Sequence, residues 1–262
     1  QGLPPTEGNN NQKQLAHFAI KMNLHFNSGL KLFNSWTEAF MDLADKTKKG
    51  KWLIFIDEIS WLGMHESTFS GQLKEVWDTK FKNNPQLILI VCGSVSTWIE
   101  KNIVANTGYE GRISLDMLLE ELSLPEINAF FRNDQRMGPL EKMWLLSITG
   151  GVPMYLEEAI FFENHFTHLV HKCFTRNEFF YNEFAKIFSE IFMKRSKTLE
   201  RIVRICLEKK LSPVEIAHEL KQEQSQDLTE NLKILELAGF ISRDYFFKPN
   251  GETSKLSQIR VK

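Results

Sequence analysis

The sequence predicts an α/β fold with an all-α continuation, on three observations. Two uninterrupted apolar runs, "WLIFI" at 52–56 and "LILIV" at 87–91, are each preceded by an amphipathic helical pattern. Strands without polar alternation are the kind a parallel sheet packs between helices, so both read as covered on both faces. From Ser123 the texture turns helical, and after Ser196 three short helical patterns end in a β-prone hairpin. Helix and strand in alternation imply a parallel sheet with crossover helices on both sides.

The elements follow in order. "QKQLAHFAIKMNLHF" spaces Leu15, Phe18, Ala19 and Met22 for one helix face, and "NSWTEAFMDLADKTKKGK" repeats the pattern after an Asn34 or Ser35 cap. The first strand comes next, then the helix "FSGQLKEVWDTKF", Pro85 and the second strand, "QLILIVCGS". "RISLDMLLEEL", from Arg112, predicts a third strand. Ser123, Pro125 and Glu126 spell a capping box, and the chain reads helical from there to about Met193. Within that stretch Gly150 and Gly151 stop one helix and Pro153 starts another. Phe180, Phe184, Phe188 and Phe192 recur every four positions, which is the packing stripe of a buried helix. In the last part Ser212 caps, Pro213 opens a helix and Gly239 closes another before the hairpin, which is a winged helix-turn-helix pattern. Three parts are expected: residues 1–120 as an α/β core, 121–193 as a helical segment and 194–262 as a winged helix.

Composition narrows the function. With 32 basic and 33 acidic residues there is no overall field to draw the chain to nucleic acid or an anionic membrane surface. Cys92, Cys173 and Cys206 lack paired spacing, so neither a disulfide framework nor a zinc cluster is expected and a reducing cytoplasm fits best. No run approaches a membrane span, and no signal peptide is visible. The opening "QGLPPTEGNNNQ", with its Pro, Gly and Asn cluster and no initiator methionine, reads as part of a longer protein.

The chemistry centres on "KWLIFIDEISWL". Open parallel sheets bind ligands beyond the carboxyl ends of their strands, and Asp57 and Glu58 stand there. Successive residues point to opposite sides, so one acid can face a metal and the other a reacting water, the spelling of a Walker B motif. An acid after a strand can equally cap the helix that follows. Three other patterns are weaker. Asp78 and Lys80 in "DTK" resemble part of a two-metal nuclease site but fall on a helix pattern, whereas that chemistry wants them on a strand. His165, His168 and His171 are three apart, and each step of three rotates the imidazole by about 60° on a helix, which carries the first and last away from each other. A solvated face is the better reading. The helix between Ser225 and Gly239 carries Asp227, Glu230 and Glu236 against Lys233 alone, which disfavours DNA and points to a protein or interdomain contact.

"LIFIDEISWL", "LILIVCGS", "YEGRISLDMLLEELSLPEINAF", "TGGVPMYLEEAI" and the terminal winged-helix pattern, in that order, resemble the archaeal-type ATPases, P-loop NTPases near the AAA+ and STAND groups. The resemblance covers essentially the whole chain. It implies a truncated P-loop NTPase core, a helical lid and a winged-helix domain, with ATP and Mg2+ as cofactors. It also implies that Asp57 holds Mg2+, usually through water, and that Glu58 orients the attacking water. Ser94 looks like a sensor position, although it could cap a helix starting near Ser96. Arg112, in "YEGR", resembles an arginine that neutralises phosphate charge, although it may equally be a plain surface residue. Gly151 and Pro153 in "GGVP" look like a lid motif near the nucleotide, although a bare helix break needs no ligand. The sequence departs from the family in one place: no G-x-x-x-x-G-K-[ST] occurs, and "KKGKW" at 48–52 lacks the hydroxyl residue and the first glycine. Without that loop no backbone amides converge on the phosphates, so this chain is expected to bind ATP poorly even where its parent is an ATPase. A nucleotide-binding switch that does not hydrolyse is the alternative, and Glu58 speaks against it. Self-association remains open.

Overall fold

A computed structural model describes residues 1–4, 6–94, 97–131, 138–160, 165–192, 195–248 and 250–261. The chain divides into two compact units, one of Gln1–Leu115 with Arg201–Lys262 and one of Asp116–Glu200.

The first unit opens with α1 (Asn11–Phe26) and α2 (Trp36–Lys46), capped by Asn10 and Ser35, whose side chains accept from the amides of Lys13 and Glu38. Strand β1 (Trp52–Ile56) leads through the short α3 (Ile59–Gly63) and α4 (Phe69–Thr79) to β2 (Leu87–Val91). The two strands pair in parallel, Trp52 opposite Leu87 through Ile56 opposite Val91. Asn84 ties the start of this crossover together: its buried amide donates to the carbonyls of Thr47 and Gly50 at 2.8 and 3.0 Å. The predicted inward positions hold, with Leu15, Ala19 and Met22 of α1 buried against Trp36, Phe40 and Phe69. Those three rings pack edge-on or stacked at centroid distances of 5.0–5.6 Å.

Two expectations are corrected. The sheet is covered on one face only. Ile54 and Ile56 of β1 face the core with Leu87, Leu89 and Val91 of β2. On the opposite face Leu53, Phe55, Ile88 and Ile90 are 64%, 56%, 60% and 42% exposed. The reason is topological: α1 to α4 contribute their buried residues to one and the same core, so none of these four covers the other face. The second correction is the third strand. Residues 112–123 adopt no strand, and Leu115, Met117, Leu118 and Leu119 are exposed. A strand needs a neighbour for its amides and carbonyls, and among the described residues the first sheet contains β1 and β2 alone. After β2 come a short α5 (Thr97–Ile99), a π turn at Glu100–Val104 and a 3-10 turn at Thr107–Tyr109, whose hydroxyl donates to the Ser70 carbonyl at 2.7 Å.

The C-terminal part of this unit follows the predicted order: α11 (Ser196–Cys206), α12 (Pro213–Glu219), α13 (Gln226–Leu237), β3 (Ile241–Phe247) and β4 (Thr253–Val261). α11 crosses the unit boundary. β3 and β4 pair antiparallel, and Leu211, between α11 and α12, forms an isolated bridge to Ile259 of β4. Ser212 and Glu215 form the capping box at α12, and Gly239 takes a φ of +77° after α13.

The second unit is helical, as expected: α6 (Leu124–Phe130), α7 (Pro139–Thr149), α8 (Pro153–Ile160), α9 (His165–Phe174) and α10 (Phe179–Phe192). Ile127, Phe131, Leu145, Leu156, Ala159 and Leu169 form its core, with Phe180 packed against it. Phe188 and Phe192 of the predicted stripe are buried; the Phe184 side chain lies outside the described set.

The one-sided sheet has a measurable consequence. Ile56→Ala empties core volume and should cost about 2–4 kcal/mol, whereas Phe55→Ser, one residue earlier on the bare face, should change stability by less than about 1 kcal/mol. Urea unfolding of the two variants checks the contrast.

Candidate functional site

The parallel ladder continues past both strand ends and builds a narrow edge. Cys92 donates its amide to the Ile56 carbonyl at 2.9 Å, and its own carbonyl accepts from the Ile59 amide at 2.9 Å. This stitching forces the chain to turn within two residues, and the turn falls on Asp57 and Glu58. Glu58 takes φ 52° and ψ 49°, left-handed values that a side-chain-bearing residue adopts at a cost of about 1–2 kcal/mol.

That turn decides where the acids point. Glu58 occupies the cap position of α3, but its side chain makes no capping hydrogen bond. The backbone amide of Ser94, at the end of β2, faces the carboxylate and favours its charged form. The carboxylate oxygen Oε2 is buried and has no hydrogen-bond partner. Asp57 is half-buried; its Oδ1 accepts from the Glu58 amide at 3.0 Å, and Oδ2 has no hydrogen-bond partner among the described residues. Neither acid therefore serves as a cap for the first turn of α3. Burial pushes the Glu58 carboxyl above its ordinary value, against the Ser94 amide, which favours the charged form; the neighbouring Asp57 charge adds to the rise. Burial together with the same two acids pushes the Cys92 thiol up.

The structure thus brings together Asp57, Glu58 and Ser94. The cap alternative for Ser94 involves Ser96, which lies outside the described residues. Arg112 is engaged elsewhere. After a turn through Gly111 at φ +71°, its guanidinium grips Asp78 of α4 with two hydrogen bonds, of 2.8 and 2.9 Å, and Lys74 joins the same carboxylate at 2.9 Å. These two cations hold the Asp78 carboxyl well below the usual range. Asp78 lies on α4, as the helix pattern predicts for "DTK", and among the described residues no cluster of His, Cys, Asp and Glu has metal-binding geometry.

Gly151 and Pro153 belong to the unit of residues 116–200, where local geometry accounts for both. Gly151 has φ +83°, its carbonyl accepts from the Leu122 amide at 3.0 Å, and a Cβ there would come within 2.8 Å of the Leu122 oxygen. Pro153 is exposed at the first position of α8. In the same unit Tyr155 donates to the buried Glu183 at 3.2 Å, Lys172 pairs with Glu158, and His171 stands 3.8 Å from Glu178.

Reading the sequence missed what holds the acid pair from behind. The Gly2 amide donates to the Asp57 carbonyl at 3.0 Å, and Gln14, fully buried on α1, binds both polar groups of Leu3. A glutamine on the inward face of an amphipathic helix was the available signal.

No family model matches the sequence, and no curated protein matches it. Among solved structures the chain is similar to the Walker-type ATPase PABY2304 of Pyrococcus abyssi, at 16% identity and a TM-score of 0.49 over 95% of this chain and 74% of that one. Among the described residues no helix is long and apolar enough to cross a membrane.

The acids should leave opposite marks on stability against pH. Folded Glu58 keeps its proton to higher pH than the unfolded chain, so its contribution falls as pH rises upward from about 4.5. Asp78, depressed in the fold, contributes above about 3.8, and that contribution is lost as pH falls through its folded value. Urea midpoints between pH 4.5 and 8 should decline less steeply in Glu58→Gln than in the unaltered chain.

Proposed function

We propose that this chain carries the metal-holding and water-orienting half of a Walker-type ATP-hydrolysing site, and that a strand and glycine-rich loop outside these 262 residues supply the phosphate-gripping half. One observation carries the reading: a glutamate at the carboxyl end of a parallel strand, held left-handed, with its Oε2 buried without a partner. A buried acceptor left unsatisfied costs about 1–3 kcal/mol, a cost that a water hydrogen-bonded there would remove.

The residues fit the implied Mg2+. A hard cation that keeps several of its waters needs only one or two carboxylates beside phosphate oxygens, and Asp57 presents Oδ2 half-buried at the same edge. When bound, the ion would supply positive charge to phosphate oxygens. Glu58, with its proton affinity raised by burial, is suited to accept a proton from the oriented water. Arg112 would have to leave Asp78 before its guanidinium could meet phosphate.

The bare sheet supports the division into two halves. Parallel sheets occur with both faces covered, and a face of Leu53, Phe55, Ile88 and Ile90 with no helix on it invites a further strand and helix. The C-terminal helices and hairpin are read as a winged helix whose partner is protein rather than DNA. Several bases of this part pair with acids: Lys210 and Arg260 with Asp244, Arg243 with Glu236, and Lys248 with Glu252. Glu230, on the candidate recognition helix, pairs with Lys101 at 3.5 Å.

Calorimetric titration of MgATP into this chain should give a dissociation constant on the order of 1 mM or weaker. A low-micromolar constant would show that the phosphates are gripped without a glycine-rich loop, and the division into halves would be wrong.

A further inference from the structure

The left-handed turn at Glu58 is held by more than its own neighbours. Two peptide groups flank its Cα. The Asp57–Glu58 peptide is fixed on one side by Asp57 Oδ1, which accepts the Glu58 amide, and on the other by the Gly2 amide, which donates to the Asp57 carbonyl at 3.0 Å. The Glu58 carbonyl accepts from the amides of Trp61 and Leu62 at 3.0 and 3.3 Å. Gly2 lies directly against it: a Cβ on Gly2 would come within 2.7 Å of the Glu58 oxygen and 3.0 Å of the Trp61 Cβ. Residues 2–4, crossing the end of β1, thus support the turn from a distant part of the sequence, beside the bond from the Ile59 amide to the Cys92 carbonyl of β2.

That crossing is itself clamped. Gln14 Oε1 accepts from the Leu3 amide and its Nε2 donates to the Leu3 carbonyl, both at 2.9 Å, the way a neighbouring strand would. Asn9 Nδ2 adds bonds to the carbonyls of Leu3 and Pro4 at 3.3 and 2.9 Å. Gln14 is fully buried between Leu15 and the packed face of α1. Burying an amide side chain costs free energy unless all its polar groups are bonded, and this one spends both of its groups on a single residue beside Gly2.

We propose that Gln14 is a positioning residue for Glu58: by clamping Leu3 it presses Gly2 onto the Asp57–Glu58 peptide and keeps the glutamate left-handed, with its carboxylate aimed at the end of β2. The proposal rests on the reading of Glu58 as the water-orienting acid, and it deepens that reading by naming what aims the acid. Strained backbone persists at functional sites only where surrounding contacts over-determine it, and here those contacts run from α1 through Leu3 and Gly2 to the turn. The end of β2 braces the opposite side of the turn, where the Cys92 carbonyl accepts from the Ile59 amide at 2.9 Å, and residues 2–4 brace the side of the Asp57 and Glu58 carbonyls.

The test is amide NMR on the 15N-labelled chain, with no nucleotide present. The Ser94 amide, which faces the carboxylate, reports the aim of Glu58, and Glu58→Gln gives the reference position without the charge. Gln14→Met, which keeps volume but loses both bonds, should move the Ser94 resonance toward that reference and speed its hydrogen exchange by about tenfold or more, equivalent to about 1.4 kcal/mol. Gly2→Ala should do the same without touching the core, because the added Cβ must push residues 2–4 off the Glu58 carbonyl. Gln14→Glu, which keeps the acceptor for the Leu3 amide, should fall between. The proposal is overturned if Ser94 keeps its position and exchange rate in Gly2→Ala, or if it changes only in step with the amides of Leu15, Ala19 and Leu73, since Gln14 would then be a plain core residue. Failure of MgATP chemistry at Asp57 and Glu58 would leave these amide shifts unaltered, so the two ideas fail separately.

Discussion

A single backbone conformation governs this molecule: Glu58 in the left-handed region at the point where β1 becomes α3. The sheet ladder passes from Ile56 to Cys92 and back to Ile59, so only two residues are available to reverse the chain's direction. A glycine would make that turn at lower cost. A glutamate there accepts the strain, and its side chain is thrown toward the end of the neighbouring strand instead of along α3. The buried unpartnered oxygen and the approach to Ser94 both follow from that rotation. So does the failure of either acid to cap the helix.

The second constraint is the one-sided sheet. Two parallel strands backed by four helices form a satisfied core on one side, where Trp36, Phe40 and Phe69 are fully buried. The same two strands present four large apolar side chains to solvent on the other, a patch of the kind that marks an interaction surface. In the proposed reading the edge that carries the acids and the face that lacks a cover are two signs of one missing piece. The phosphate-gripping loop would arrive on the strand whose helix covers Leu53, Phe55, Ile88 and Ile90.

Much of the fold was legible because short-range physics settles it. The caps at Ser35 and Ser212, the helix break at Gly150, the inward row of α1 and the order of the C-terminal helices and hairpin can each be read from a few neighbouring letters. The acid pair was legible for the same reason, since a buried strand followed by two carboxylates must deliver them to its end. The errors concern partners that local sequence does not encode. "WLIFI" and "LILIV" look the same whether helices lie on one face or two, and "ISLDMLL" looks like a strand whether or not an edge awaits it. For Arg112 the letters left a phosphate-neutralising arginine and a plain surface residue side by side; they do not show that Asp78, thirty-four residues away, holds its guanidinium in this fold. Gly2 and Gln14 escaped notice because their significance lies in a backbone contact with Glu58 that spacing along the chain does not reveal.

The central claim is that Glu58 orients a water for attack on a nucleotide phosphate, and phosphate release by the natural polypeptide, with whatever glycine-rich loop it carries, tests this most directly. The unaltered protein is expected to release phosphate from MgATP, while Glu58→Gln retains bound ATP and releases essentially none. Equal release by the two proteins, or no release by the unaltered one, would contradict the claim.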